Sequence, residues 1–137
     1  IHKALYTMKG SHTPERNGRR LYQPLFDKYQ VDFVLHGHNH DQQRTKPISY
    51  GGLDSEPVIT SNAIDKYDFS LIHGQIYIVS GAGGREFHEF EEEKNNWTVF
   101  AQNNDFGYHT FAVERKNVVV KSQSNTGKVL DEFSVFK

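Results

Sequence analysis

Histidine side chains are concentrated in one short segment of this 137-residue chain. The apolar run Val31–Leu35 is followed by His36 and Gly37, and then by the pair His38 and His40. Neutral imidazole is the commonest protein metal ligand, so a His-x-His pair suits a transition-metal site. If the backbone of this pair is extended, alternate side chains point the same way and both rings can reach one cluster.

The elements around the pair predict where it lies. The run 31–35 is typical of a strand in a sheet that is covered on both faces. Gly37 then allows a sharp turn, which places the pair at the carboxyl edge of the sheet, where open α/β sheets bind ligands. A His-x-His pair alone is more often solvated than liganded. Here a second histidine group, His2 and His12, lies upstream and favours a site.

The order of elements in the first third predicts a βαβ crossover. Residues 2–6 are typical of the end of a strand, and a polar loop follows. Thr13-Pro14 is a helix-start pattern that Asn17-Gly18 is expected to interrupt or delay. Apolar positions at helical spacing predict a helix over residues 19–29, with a kink or break at Pro24. Because the buried strand comes next, the two strands are predicted to be parallel.

The remaining two thirds predict a β-rich region. Gly81-Ala82-Gly83-Gly84 fits neither common nucleotide-loop spacing and predicts a tight turn beside the site. The acidic run of Glu89, Glu91, Glu92 and Glu93 is interpreted as solvated surface. The last strands are expected to form an antiparallel meander joined by polar turns. The predicted strands are 58–60, 76–80, 109–114, 118–122 and 129–136.

Composition excludes several classes of protein. The net charge is −1 and the basic residues are scattered, which argues against a nucleic-acid footprint. The chain has no cysteine, so disulfide scaffolds and thiolate zinc sites are excluded. No apolar run approaches the roughly 20 residues of a membrane span. The length allows at most one domain, and a candidate ligand at the second residue indicates the C-terminal part of something longer.

Taken in order, the motifs resemble the C-terminal half of calcineurin-like metallophosphoesterases, and most closely the purple acid phosphatase branch. His2, Leu5 and Tyr6 resemble the His-x-Pro-x-Tyr element of that branch, with Ala4 in place of proline. Tyr29–His40 resembles the strand and Gly-His-x-His element. Three further segments resemble later elements of the family: Gln43-Arg44-Thr45, Ile76–Gly84 and Phe106-Gly107-Tyr108.

The resemblance implies a fold and a chemistry. The implied fold is α/β, of the α+β sandwich kind, with one βαβ-like unit followed by a mainly antiparallel meander. The implied activity is hydrolysis of a phosphate ester, mono- or diester, by a metal-bound hydroxide between two ions of iron, zinc or manganese. His2 and His38 would serve one ion and His40 the other. His12 matches a loop histidine that contacts the phosphate and protonates the leaving group.

The resemblance also implies missing parts. The family's Asp-x-His, Gly-Asp-x-x-Asp and Gly-Asn-His elements would lie upstream of Ile1, so residues 1–137 are predicted to be the C-terminal part of a single catalytic domain. Three histidines cannot build a two-metal site, and the chain alone is predicted to be inactive. The family weakly favours a secreted protein, while compartment and oligomeric state stay open.

Two other classes of protein compete with this interpretation. A cupin-like barrel would need a glutamate where Arg44 stands. A non-catalytic metal-binding or interaction module is the second alternative, and it stays open. The histidines outside the candidate site, His36, His73, His88 and His109, are predicted to be structural or surface residues.

Overall fold

The computed structural model describes residues 1–52, 55–91 and 94–137. The described residues contain one helix, α1, and ten strands. The elements are α1 (Arg16–Lys28), β1 (Phe33–His36), β2 (Gln42–Thr45), β3 (Ile48–Ser49), β4 (Val58–Ile59), β5 (Lys66–Asp68), β6 (Ile76–Ser80), β7 (Thr98–Gln102), β8 (Gly107–Glu114), β9 (Asn117–Ser124) and β10 (Val129–Phe136).

Two four-stranded sheets form the architecture. The first sheet has the order β1-β6-β2-β7, in which β1 and β6 are parallel and the other pairs are antiparallel. The second sheet has the order β5-β10-β9-β8, and β3 pairs with β4 separately. The mixed sheets and single helix confirm the predicted α+β sandwich, and β8, β9 and β10 confirm the antiparallel meander.

The first sheet is covered on both faces, because side chains alternate along β6. Ile76 and Ile78 join a core with residues of the second sheet, including Val120 and Phe133. Tyr77 lies on the opposite face, in a core with Leu5, Tyr6, Val34, Ile48 and Trp97. The prediction of two covered faces therefore holds for β6. It is wrong for part of β1, the edge strand of the sheet, where Leu35 is 47% exposed.

Helix α1 begins earlier than predicted and runs through Asn17-Gly18. Gly18 is required there by close packing, since a β-carbon at this position would lie 2.5 Å from Leu5 Cδ2. Pro24 is inside the helix and does not end it. The packing of the helix on Leu5 thus outweighs the low helix propensity of Asn and Gly.

The predicted first strand is not regular. Residues 2–6 run beside β1 without forming a strand, although the Ile1 nitrogen donates to the Leu35 carbonyl at 3.1 Å and the Gly37 N–H donates to the His2 carbonyl at 3.1 Å. The predicted βαβ crossover is therefore wrong in its first strand: segment 2–6 precedes α1 and β1, but it meets β1 through two hydrogen bonds and not through a strand ladder.

Strand β2 was missed because all four of its residues are polar, yet all four are buried. Arg44 donates to both carboxylate oxygens of Asp131 on β10 and to the Tyr67 hydroxyl on β5, and its guanidinium lies 4.3 Å from the centre of the Phe133 ring. We call these four residues the Arg44 junction. It joins the two sheets through a charge pair whose donors are satisfied.

Candidate metal centre

Five histidine rings form a continuous row at one edge of the first sheet. In spatial order they are His2, His38, His12, His88 and His40, which we call the histidine row. Successive ring centroids are 4.9, 4.0, 4.8 and 4.0 Å apart. All four histidines predicted as site residues belong to the row, and His88 is an addition that the sequence did not predict.

The parallel pair β1 and β6 positions this row. Both strands end at the same edge, so the segment after His36 and the segment after Ser80 meet there. Gly81 allows this meeting, because a β-carbon at this position would overlap the Asn39 carbonyl oxygen. Its N–H donates to the Asp41 carbonyl at 3.0 Å. The glycine loop therefore bends close beside the row, although residues 81–84 form no hydrogen-bonded turn of the predicted kind.

The backbone of the His-x-His pair differs from the expected extended form. His38 has φ of 67°, in the left-handed region that non-glycine residues seldom adopt. The Asn39 N–H donates to the Gly37 carbonyl at 2.8 Å across this turn. The two rings therefore do not lie side by side, and His12 and His88 stand between them.

His2 and His38 face each other through their ring nitrogens. His2 Nε2 and His38 Nδ1 are 3.1 Å apart, so one ring donates a hydrogen bond to the other. Two nitrogens that ligate one ion at about 2.1 Å each lie roughly 3.0–3.4 Å apart. The separation in this pair therefore fits two ligands of a single ion, in agreement with the role that the family resemblance implies for these histidines.

His40 is held in one tautomer. Its Nδ1 lies 2.9 Å from the Glu86 carbonyl oxygen, and a carbonyl only accepts, so Nδ1 carries the proton. The lone pair of a neutral ring is then on Nε2. Metal-binding histidines characteristically donate their second ring nitrogen to a carbonyl or carboxylate in this way. The donor chemistry of His40 therefore fits the ligand role implied for it.

The electrostatics of the row disfavour protonation. Burial lowers the pKa of His38 and of His88, and positive charge on neighbouring histidines lowers both further. Neutral imidazoles are the form that binds metal ions. The lowered pKa of these two rings therefore favours the neutral form.

A layer of buried polar side chains is hydrogen-bonded to the His-x-His loop. The Asn39 side-chain amide donates to the Thr7 hydroxyl at 3.0 Å, and the Gln43 amide donates to the same hydroxyl at 2.8 Å. Gln43 also donates to Asp41 Oδ1 at 3.0 Å. Burial raises the pKa of Asp41 to about 7, partly offset by that hydrogen bond. This layer ties the loop after β1 to the segment that carries His2 and His12.

The row does not make a complete metal site. Within residues 1–52, 55–91 and 94–137, no three histidine, cysteine, aspartate or glutamate side chains are arranged to hold a metal ion. Glu89 and Glu91 are exposed as predicted, while Glu92 and Glu93 lie outside the described residues. The five side chains of the row offer nitrogen donors without a carboxylate among them.

The remaining histidines lie apart from the row. His36 is buried, its Nδ1 lies 3.3 Å from the Ile1 carbonyl, and burial lowers its pKa to about 4. His109 Nδ1 lies 3.0 Å from the Ser80 hydroxyl. His73 lines a cavity of about 370 Å³ together with Asp32 and Lys137. These three agree with the predicted structural or surface role, whereas His88 contacts His12 and His40 within the row.

Comparison with known proteins identifies the class. Residues 74–132 match the family described as iron/zinc purple acid phosphatase-like protein C. The fold matches a purple acid phosphatase from yellow lupin (Lupinus luteus) seeds with a TM-score of 0.85 and 29% identity, over 99% of this chain and 24% of the lupin chain.

Curated relatives agree with the structural match. The chain is 34% identical over 134 residues to "Probable inactive purple acid phosphatase 1" of Arabidopsis thaliana, covering 96% of this chain and 20% of that protein. It is 28% identical over 125 residues to a "Nucleotide pyrophosphatase/phosphodiesterase" of Hordeum vulgare, covering 90% of this chain and 32% of that protein. The chain thus spans a fifth to a third of these relatives.

The family match, the named relatives and the lupin structure agree that the chain is similar to purple acid phosphatases over nearly its whole length. No helix in the described part of the chain is long and apolar enough to cross a membrane.

Proposed function

We propose that this chain supplies the histidine ligands of a two-metal phosphoesterase site in the intact protein. The observation that carries the proposal is the 3.1 Å separation of His2 Nε2 and His38 Nδ1, which suits two ligands of one ion. His40, with its Nδ1 proton on the Glu86 carbonyl, would serve the second ion. The substrate class is a phosphoric mono- or diester.

Each part of the row has its own task in this proposal. His2, His38 and His40 hold the ions, and His12 lies between the two ligand groups, where it can donate a proton to a leaving oxygen. Two divalent or trivalent ions, of iron, zinc or manganese, would activate water and neutralise phosphate charge. The carboxylate ligands would come from residues outside this chain.

A second function class is a non-catalytic metal-binding or interaction module. The name of the Arabidopsis relative, a probable inactive phosphatase, favours this alternative. Retention of all four predicted histidines in one row favours catalysis. A further part of the proposal, an extracytoplasmic location, rests on similarity to this family.

The test is hydrolysis of p-nitrophenyl phosphate and bis(p-nitrophenyl) phosphate by the full-length protein with added zinc, manganese or iron. We expect metal-dependent turnover that is lost in His38→Ala and kept in the control His73→Ala, which changes a histidine far from the row. The 137-residue piece alone should be inactive. Metal binding without turnover in the full-length protein would favour the second class, and turnover by the piece alone would overturn the account.

A further inference from the structure

His88 is a member of the row that no element of the family resemblance explains. It comes from the segment after β6, 48 residues from His40 in sequence. Its ring stacks on His40 with centroids 4.0 Å apart and an interplanar angle of 22°. It also meets His12 edge-on at 4.8 Å. One ring therefore contacts both a candidate ligand and the candidate proton donor.

The contact with His40 is reciprocal along the backbone. The His40 N–H donates to His88 Nδ1 at 3.1 Å, and the His88 N–H donates to the His40 carbonyl at 3.2 Å. His88 is itself fixed, because the Asn103 amide donates to its carbonyl at 2.8 Å. Both the N–H and the carbonyl of His40 are thus hydrogen-bonded to His88, which is itself hydrogen-bonded to Asn103.

The ring of His40 is held by the chain segment that carries His88. Its Nδ1–H donates to the Glu86 carbonyl, two residues before His88. Segment 86–88 therefore fixes the backbone, the tautomer and the ring plane of His40. Groups that orient a ligand in this manner characteristically change metal affinity by about 10–100-fold when they are removed.

We propose that His88 is a positioning residue for His40, acting through its Nδ1 as the acceptor of the His40 N–H and through ring stacking. This inference rests on the proposed function for its consequence, the orientation of a metal ligand. Its structural part, the hold on the His40 backbone, stands independently. The His88 Nε2–H takes no part in the proposed role.

Two amide substitutions separate the two nitrogens of His88. In His88→Asn, the side-chain oxygen can take the place of Nδ1 and accept the His40 N–H. In His88→Gln, the amide reaches the place of Nε2 instead. The proposal therefore predicts that His88→Asn keeps His40 in place and that His88→Gln does not. His88→Ala removes the whole imidazole ring, and His73→Ala serves as the control away from the row.

The experiment measures two quantities in the full-length protein. The first is hydrogen exchange of the His40 amide, followed by NMR after 15N-histidine labelling. We expect exchange to be about tenfold faster in His88→Ala and His88→Gln, and near wild type in His88→Asn. The second is zinc affinity by chelator competition, which should fall about 10–100-fold in the same two variants.

The outcomes distinguish this inference from the proposed function. Unchanged His40 exchange in His88→Ala would overturn the positioning role, whatever the metal result. Zinc affinity near wild type in His88→Gln and not in His88→Asn would show that Nε2 is the nitrogen that matters, and would also overturn the positioning role. If the wild-type protein binds none of zinc, manganese and iron, the proposed function fails, while the exchange measurement still decides whether His88 holds His40.

Discussion

The Arg44 junction and the histidine row are both polar clusters between elements distant in sequence, and they are built in opposite ways. Arg44 is 1% exposed and is matched by an opposite charge on Asp131, a hydroxyl on Tyr67 and the face of Phe133. The row instead brings together five side chains of one kind, at a partly exposed edge. The junction has the make-up of a structural contact, while the row has the nitrogen donors on which the proposed metal site rests.

Energetics explain why the two arrangements differ. A buried charge is tolerated only when it is paired and hydrogen-bonded, and the junction meets that condition. A row of imidazoles gains little for folding, because positive charge on one member disfavours it on the next. A cluster that is unhelpful for stability and yet held by a buried polar layer is typical of a functional site.

The largest effect is expected at the junction. Arg44→Ala would leave Asp131 without its partner between the sheets, at a cost of about 3–5 kcal/mol in the free energy of unfolding. Urea denaturation of the full-length protein measures this loss. The double variant Arg44→Met with Asp131→Leu is expected to recover most of it, because no unpaired charge remains. A single variant as stable as wild type would contradict the structural role of the junction.

The next effect separates the two clusters. His38→Ala should lower metal affinity at least about 100-fold, or roughly 2.7 kcal/mol, while the free energy of unfolding of the metal-free protein changes by less than about 0.5 kcal/mol. Chelator competition and urea denaturation measure the two quantities on the same sample. A destabilisation as large as that of Arg44→Ala would show that the row is a second structural cluster and would remove the contrast.

The free energy of unfolding is expected to depend on pH through His109, which lies close to the junction. Burial lowers the pKa of His109 to about 4, whereas a histidine in the unfolded chain titrates near 6.5. Between these values the unfolded state binds more protons, so stability is full above about pH 6.5 and is lost as the pH falls towards 4. The contribution is about 2 kcal/mol, allowing for partial exposure of the ring.

The variant that tests this effect is His109→Gln, compared with wild type by thermal denaturation across that pH range. The difference in stability between the two proteins should shift in favour of the variant as the pH falls. A difference that does not change with pH would show that His109 remains exposed to solvent in the folded protein.

The smallest effect is expected for an exposed ion pair within the second sheet. Lys121 Nζ lies 3.2 Å from Glu132 Oε2 across β9 and β10, with both side chains well exposed. Lys121→Gln should cost less than about 0.5 kcal/mol, because solvent screens such pairs. A loss similar to that of Arg44→Ala, measured by the same urea titration, would mean that burial does not explain the strength of the junction.

Regular patterns made part of the fold predictable. The alternating residues of β8–β10 and the polar turns between them predicted the meander. The predicted strand ends agree with the observed ends to within two residues, and those of β10 agree at both ends. Strand β2 could not be predicted, since its four polar residues are buried against hydrogen-bond partners that lie mostly in other elements of the chain. Gln42, for example, accepts from Ser122 on β9.

The site was predictable where residues lie close in sequence. His38 and His40 follow a buried strand, and His2 and His12 form a second histidine group upstream, for which the family resemblance then implies roles. His88 has no neighbour at ligand spacing, so only the tertiary fold brings it to His40. One signal was available, because the glycine loop after β6 leads the chain to the same edge of the sheet.

Anomalous X-ray scattering from crystals of the full-length protein, grown with zinc or manganese, tests the central claim most directly. The account predicts two ions in the site, one within about 2.3 Å of His2 Nε2 and His38 Nδ1 and the other within the same distance of His40 Nε2. Absence of anomalous density at the histidine row, or ions bound only elsewhere in the protein, would contradict the assignment of these residues as metal ligands.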